Sequence, residues 1–597
     1  MHERSIKLMQ NRKVIKQMIK IARKNLNWWA ATAALLFLII QVSADLYLPT
    51  ITSNLIDKGI AQNDQVYIWR QGVNMLVVSF IGLLAAAGNV YFASTQSMKV
   101  GQKLRTQMFT KVVNFSSREF TDFGDASLIT RSTNDIVQIQ NVMVTILRMM
   151  LQSPIMLIAA GVLAYNREPR LTVVFLIALP ILAVAVVAIM YFAVPLFKSI
   201  QKKTDRINLV FREGLTGVRV IRAFNQDTFE QNRFDSANRD YTQTATKAFV
   251  ITSFMFPIMT LILSGSNIGI IFLGGHLIAN MQMQVGNLVA FMTYATQILM
   301  SFMMLSMVFV FVPRASASAA RINEVVERDN SVADLPADQI KQFDQSKPAS
   351  LEFDDVEFKY RGAEQKALQN ISFKAQAGQT VAIIGGTGSG KSTLVNLIPR
   401  LFNFDAGRIL VNDQPIQQVS QHSLHANISI TQQKAVLFKG TIRTNLQYGN
   451  RDATDEQMWQ ALAIAQAKDF VTENGGLEAI VEQDGGNFSG GQRQRLAIAR
   501  TIIKEASIYI FDDSFSALDF KTDAQLRMAL HQDERIKRAV TVIVAQRVST
   551  VADADLILVM DDGRVVGQGN HQELKANNET YRQIVDSQIR EGDVKNA

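Results

Sequence analysis

The chain of 597 residues contains no cysteine. That excludes disulfides, thiolate zinc sites, iron–sulfur clusters, a cysteine nucleophile and a fused cysteine peptidase. It does not assign a compartment, because a cysteine-free chain suits a reducing cytosol and a bacterial envelope equally. Charge is also scarce. Only 19% of residues are charged, while 48% are hydrophobic. Soluble domains carry roughly 25% charge, so membrane segments are expected to dilute it here. Acid is the rarer sign: 52 acidic against 61 basic side chains leave a net charge of +9. Such an excess serves either a nucleic-acid surface or a membrane-topology signal. At 100–200 residues per domain, the length predicts several domains.

The apolar residues are concentrated before about position 320. They form six runs, at residues 28–52, 73–94, 142–165, 171–197, 249–279 and 285–312. Each is long enough to cross a hydrocarbon layer of about 30 Å as a helix. Buried helices of a large soluble core are the alternative for any one run, but six in succession predict a membrane domain.

The basic residues orient these spans. They run from Arg4 to Lys24 before the first span, from Lys99 to Arg131 between the second and third, and from Lys198 to Lys247 between the fourth and fifth. The other connections hold Lys58 and Arg70, then Arg167 and Arg170, then none. Positive-inside bias therefore predicts a cytoplasmic N-terminus, cytoplasmic long connections and a cytoplasmic C-terminal half. The positive charge lies on inner loops rather than in one groove-facing patch, which argues against a nucleic-acid partner. Residues 1–27 read as a basic amphipathic helix at the membrane interface. A cleaved signal peptide is the rival reading, but the basic region is long for one. Residues 28–323 form the expected membrane domain, 324–350 a polar linker, and 351–597 a second domain.

That second domain carries a phosphate-loop pattern. Gly385, Gly386, Thr387, Gly388, Ser389, Gly390, Lys391 and Ser392 match G-x-x-x-x-G-K-[ST], with Thr393 next. The apolar run 381–384 precedes it and a helix start follows, which is the strand–loop–helix context such a loop needs. The glycines let backbone N–H groups curl around phosphates, Lys391 neutralises them, and Ser392 can bind Mg²⁺. Ile508-Tyr-Ile-Phe511-Asp512-Asp513 is an apolar strand ending in acid, where a metal-binding carboxylate sits.

Between these elements lie Asn487-Phe-Ser489-Gly490-Gly491-Gln492, which resemble the LSGGQ signature of ABC transporter ATPases. Ser516-Ala-Leu-Asp519 resembles the family's D-loop, Gln433 its Q-loop glutamine, and Tyr360 the aromatic that stacks on adenine. The six spans, DLYLPTITSNLIDKGI and REGLTGVRVIRAFNQDTFEQNRF are similar to type I, B-family-like exporters. The resemblance covers nearly the whole chain. It implies a half-transporter: an all-α six-helix transmembrane domain followed by an α/β P-loop ATPase domain with an ABC-type helical subdomain. Two such chains would sandwich two ATP molecules. Each ATP would meet Walker elements from one chain and Ser489, Gly490, Gly491 and Gln492 from the other. Mg²⁺ would be held by Ser392, Gln433 and Asp512. Coupling segments are expected around 118–124 and 217–224, received near Gln433.

The chain departs from the family pattern at the reacting end. Asp513 stands where a glutamate normally polarises the attacking water, and its carboxyl is one methylene shorter. Gln546 stands where a histidine is expected; it can donate a hydrogen bond but carries no charge. Gln483 occupies a position before the signature where exporters usually show glutamate. An intact signature beside altered Walker-side residues resembles the degenerate-site subunit of a bacterial heterodimeric multidrug exporter. A homodimer with two slow sites is the alternative. Asp513, Gln546 and Gln433 are the candidate catalytic residues.

The cargo is less visible. Asp45 is the one acidic residue well inside a span, where charge is costly and often functional. It could attract a cationic compound, or it could lie in water near the outer surface. The last span carries Met292, Met300, Met303, Met304 and Met307 with Phe291, Phe302, Phe309 and Phe311, a composition that suits either a promiscuous apolar pocket or ordinary packing. The resemblance favours export of hydrophobic or amphipathic small molecules across a plasma membrane. A lipid flippase and an ATP-gated regulatory subunit are the alternatives.

Overall fold

The computed structural model describes residues 18–336, 338–344 and 346–594. Of the expected N-terminal helix, residues 18–25 are helical and 1–17 lie outside the described residues. The side chains of Met307, Phe309 and Phe311 also lie outside them.

The chain forms two compact units. The first runs to Asn114 and resumes from Asp125 to Arg328. Among the described residues, six helices are long and apolar enough to cross a membrane: Trp28–Ile60, Gln65–Val113, Asp125–Arg167, Val173–Thr216, Asp227–Ala279 and Val285–Leu305. Gln65–Val113 has 49 residues. At 1.5 Å per residue it is roughly 74 Å long, far beyond a hydrocarbon core. The apolar run marks only the part that crosses; beyond it the helix continues as a polar shaft. Many large apolar side chains on these helices are exposed, as Leu176 and Phe272 are. Lipid, rather than protein, is their solvent.

Contacts between helices combine large apolar side chains such as Leu46, Met156 and Ile270 with small residues and polar groups. Ala160, Ala164, Ala290 and Ala295 are fully buried, allowing close backbone approach. Phe175 stacks on Phe291 with centroids 5.2 Å apart. The Tyr294 hydroxyl lies 2.9 Å from Thr50 Oγ1 and donates to the Leu46 carbonyl at 3.1 Å, joining the last span to the first. Two π-helical stretches, Leu55–Ile60 and Ile146–Met150, interrupt the regular ladder. The first follows Pro49 and the second precedes Pro154. Pro154 lacks the N–H that would meet the Met150 carbonyl at the end of the second stretch.

The second unit holds Asp329 onward together with Phe115–Gly124 from the first inner connection. Within it the short helix Ser117–Phe123 turns a buried Glu119 toward Ser331, whose hydroxyl donates to the carboxylate at 3.0 Å. Twelve strands follow among the described residues. β1 (Ser350–Phe358), β2 (Leu368–Gln376), β4 (Ala406–Val411) and β5 (Gln414–Pro415) make an antiparallel sheet in the order β2-β1-β4-β5. β3 (Thr380–Gly385), β6 (Ile428–Thr431), β9 (Ile508–Asp512), β10 (Val540–Val544), β11 (Leu556–Asp561) and β12 (Arg564–Gly569) make the larger sheet, in the order β12-β11-β3-β10-β9-β6. All its pairs are parallel except β11 with β12. β7 (Gly440–Thr441) and β8 (Ile480–Val481) form a small ribbon. β9 and β10 are buried throughout, which explains their unbroken apolar runs. One core cluster joins the two sheets around helix Lys391–Leu397; the other packs helices Asp455–Ile464 and Gly490–Ile502 on the far face.

Gly286 shows how tightly the first unit is built. A Cβ there would sit 2.3 Å from the Ser53 carbonyl oxygen, which is backbone and cannot swing away. Gly275 has nothing within 4 Å of the same position. Gly286→Ala is expected to cost about 1–3 kcal/mol and to lower the thermal-shift midpoint of the detergent-solubilised chain, whereas Gly275→Ala leaves it unchanged.

Candidate functional site

The larger sheet sets β3, β10 and β9 side by side, with Val544 opposite both Ile383 and Asp512. The loops after these three strands therefore emerge at one edge, the carboxyl end where parallel sheets bind ligands. Gly385 ends β3 where a Cβ would lie 2.1 Å from the Met560 carbonyl oxygen, so only glycine fits. Gly388 and Gly390 take φ values of +86° and +98°, which turn the loop toward its helix. Helix Lys391–Leu397 then starts with its N–H groups facing the loop.

Tyr360, Thr387, Gly388, Gly390, Lys391, Ser392, Thr393, Gln433, Asp512, Asp513 and Gln546 line one cavity of about 370 Å³. Gly385, Gly386 and Ser389 build the loop without lining that cavity. Lys391 Nζ donates to the Gly385 and Gly386 carbonyls at 2.8 and 2.6 Å. Burial holds its ammonium below the usual lysine range, while the Asp513 and Asp512 charges oppose that shift. Ser392 Oγ donates to Asp512 Oδ1 at 3.2 Å. This hydroxyl–carboxylate pair is a hard-oxygen donor set that fits Mg²⁺. Tyr360 meets Phe358 and Phe402 edge-on, and its hydroxyl is 3.1 Å from Thr393 Oγ1. The ring is thus braced on one side and offers an exposed aromatic surface at the cavity's rim.

Gln546 Nε2 donates to Asp513 Oδ2 at 2.9 Å. Burial pushes the Asp513 carboxyl above the ordinary carboxylate range, and hydrogen bonds from Ser516, Gln546 and Gln433 pull it back. Burial raises Asp512 likewise, against the Ser392 hydrogen bond. Asp513 also has φ +47°, a left-handed conformation in which Asp is among the enriched non-glycine types.

Ser489, Gly490, Gly491 and Gln492 do not line this cavity, and neither does Asp519. Ser489 caps helix Gly490–Ile502: its hydroxyl accepts from Gln492 N, while Gln492 Oε1 accepts from Ser489 N at 2.9 Å. Gly490 has open space around its Cβ position. Asp519 caps helix Phe520–Gln532, accepting from Thr522 N at 3.0 Å and Thr522 Oγ1 at 2.7 Å.

Arg547 is a residue that sequence reasoning passed over. Its guanidinium donates to the Leu518 and Ser516 carbonyls at 3.2 and 3.3 Å and covers the Phe520 ring at 4.8 Å. It ties the loop bearing Gln546 to the segment before Asp519. Its place beside Gln546 was the available signal, but its partners lie on a different loop.

Comparison with known proteins agrees with this geometry. Residues 31–302 match the ABC transporter transmembrane region family, and residues 368–516 match the ABC transporter family. An ABC transporter ATP-binding protein of Mycobacterium tuberculosis is 39% identical over 96% of this chain and 98% of its own length. An ATP-dependent lipid A-core flippase of Pseudomonas fluorescens is 32% identical over 85% of this chain and 84% of its own. Among solved structures, a bacterial Atm1-family ABC exporter with ATP bound superimposes with a TM-score of 0.79 at 25% identity, covering 94% of this chain and 98% of that one.

The Ser489 cap has a direct test. Ser489→Ala removes an acceptor worth about 1 kcal/mol at a helix N-terminus. The amides of 490–493 are then expected to exchange with deuterium roughly fivefold faster. Unchanged exchange would show that the capping box does not hold this helix start.

Proposed function

The chain belongs to the ABC transporter family as a half-transporter, with a six-helix membrane region and an ABC ATPase domain, and from that premise we propose that it is one subunit of a heterodimeric exporter. Its cargo is amphipathic drugs or other hydrophobic compounds, and it works across the plasma membrane with its N-terminus and ATPase domain cytoplasmic. Its own Walker side binds ATP and turns it over slowly. Ser489, Gly490, Gly491 and Gln492 complete the active site of the partner chain.

The observation that carries this reading is the Gln546–Asp513 hydrogen bond of 2.9 Å. A general base must hold the proton acceptor free for water. Here the shortened carboxylate is engaged by the residue in the switch position. Gln546 offers a hydrogen bond toward a γ-phosphate without the charge of an imidazolium. Lys391 and the loop N–H groups bind the phosphates, Tyr360 stacks on the base, and Asp519 fixes the adjoining loop. Ser392, Asp512 and Gln433 hold Mg²⁺, which neutralises phosphate charge when bound. Binding is thus fully equipped, and the proton-accepting step is the weakened one. ATP closes the two chains together and biases a two-state switch of the membrane helices.

A second reading draws on the Pseudomonas relative, whose name is that of a lipid A-core flippase. In that reading the cargo is a lipid-like amphipath and the ATP chemistry is unchanged.

Two measurements test the degenerate site, which both readings of the cargo share. Purified alone in lipid nanodiscs, the chain is expected to bind MgATP but hydrolyse it poorly; turnover like that of an ordinary exporter contradicts the degenerate site. Lys391→Ala is expected to abolish that binding. In the complex with its partner, Asp513→Glu combined with Gln546→His is expected to raise turnover, because the double change restores both reach and charge. No gain there argues for a homodimer or for a regulatory role.

A further inference from the structure

The loop that bears Gln546 is held from a direction unconnected with the phosphate loop. The C-terminal helix Glu579–Val594 places Tyr581, Ile584, Val585 and Gln588 at successive turns of one face. Tyr581 and Val585 are buried in the domain core and Ile584 packs against it. The Tyr581 hydroxyl is 2.7 Å from His571 Nδ1, and its backbone N–H donates to Asn578 Oδ1 at 2.8 Å. These contacts fix the helix in rotation and along its axis. The next turn of the same face ends in a polar residue instead of an apolar one.

That residue is Gln588, and its amide is used at both ends. Nε2 donates to the Gln546 carbonyl at 2.7 Å, and Oε1 accepts from the Val548 N–H at 2.7 Å. One side chain thereby clasps the backbone on either side of Arg547. Two neutral hydrogen bonds of this length, made by an anchored side chain, confine the loop as a bulky contact cannot. The Gln546 side chain leaves the clasped backbone in the direction of Asp513.

We propose that Gln588 is a positioning residue for nucleotide recognition: it holds the Gln546 backbone so that the Gln546 amide meets the terminal phosphate of ATP. The C-terminal helix is therefore part of the switch. This assignment rests on the reading of Gln546 given above. It separates from that reading because both hydrogen bonds of Gln588 to the loop go to backbone atoms. Glutamine suits the task because it supplies a donor and an acceptor together. A glutamate of the same shape accepts from Val548 but sets a carboxylate against the Gln546 carbonyl. A leucine of similar size does neither.

The test compares nucleotides with and without the terminal phosphate. Full-length chain in nanodiscs is titrated with Mg²⁺ and either AMP-PNP or ADP, for wild type, Gln588→Leu, Gln588→Glu and Gln546→Ala. Both Gln588 variants are expected to lose roughly fivefold in AMP-PNP affinity, the worth of one hydrogen bond, while ADP affinity stays at the wild-type value. Gln546→Ala is expected to show the same selective loss. Equal losses for both nucleotides would mark Gln588 as a merely structural residue and overturn the proposal. A selective loss in Gln546→Ala with none in the Gln588 variants overturns the clasp alone. No selective loss in any variant overturns the clasp together with the reading of Gln546. Gln588→Glu keeps the size and one bond, so it serves as the informative variant if Gln588→Leu fails to fold.

Discussion

Strand β10 runs between β3 and β9, and the chemistry of the ATPase domain depends on that neighbourhood. Ala545 N–H donates to the Ile383 carbonyl at 3.1 Å, and Asp513 N–H donates to the Val544 carbonyl at 3.0 Å. The strand pairing thus continues one residue into each loop. The phosphate loop, the metal carboxylate and the switch glutamine are brought together by backbone geometry rather than by their own side chains. The strands are fully buried, so this register is strongly enforced by the core. A consequence is that Asp513 and Gln546 behave as one unit. Substituting one changes the hydrogen-bond partner of the other.

The membrane half obeys a different constraint. Where its helices cross the hydrocarbon there is no water to satisfy open backbone groups, so the crossing segments are helical. Buried alanines set the close contacts, and Tyr294 supplies one of the few polar ties between the first and last spans. The π-helical stretch Ile146–Met150 ends four residues before Pro154, whose missing N–H leaves the Met150 carbonyl without its regular partner.

The legibility of each feature follows from how local its cause is. The phosphate loop, Asp512 and the six apolar runs were readable because strand, loop and helix signals lie within a few residues of one another. The departures at Asp513 and Gln546 were readable singly, but not their pairing, since they stand 33 residues apart and strand order is not written in either segment. Arg547 was missed because its partners, the Ser516 and Leu518 carbonyls, are backbone atoms that leave no side-chain pattern. A segment around 118–124 serving the second domain was readable by resemblance, but its anchor was not: a buried Glu119 meets Ser331 across 212 residues. In the spans, hydropathy located the crossing segments but not the helix ends, because the polar shafts carry no apolar signal.

The central claim is that this chain's own Walker side holds ATP while the other composite site turns over. The most direct measurement loads the assembled transporter with radiolabelled ATP, chases with unlabelled ATP during transport, and identifies the label that remains bound. The account predicts one slowly exchanging nucleotide per complex, recovered as intact ATP, and its loss when Lys391 is replaced by alanine in this chain. Recovery of the retained label as ADP, or equal rapid exchange at both sites, would contradict it.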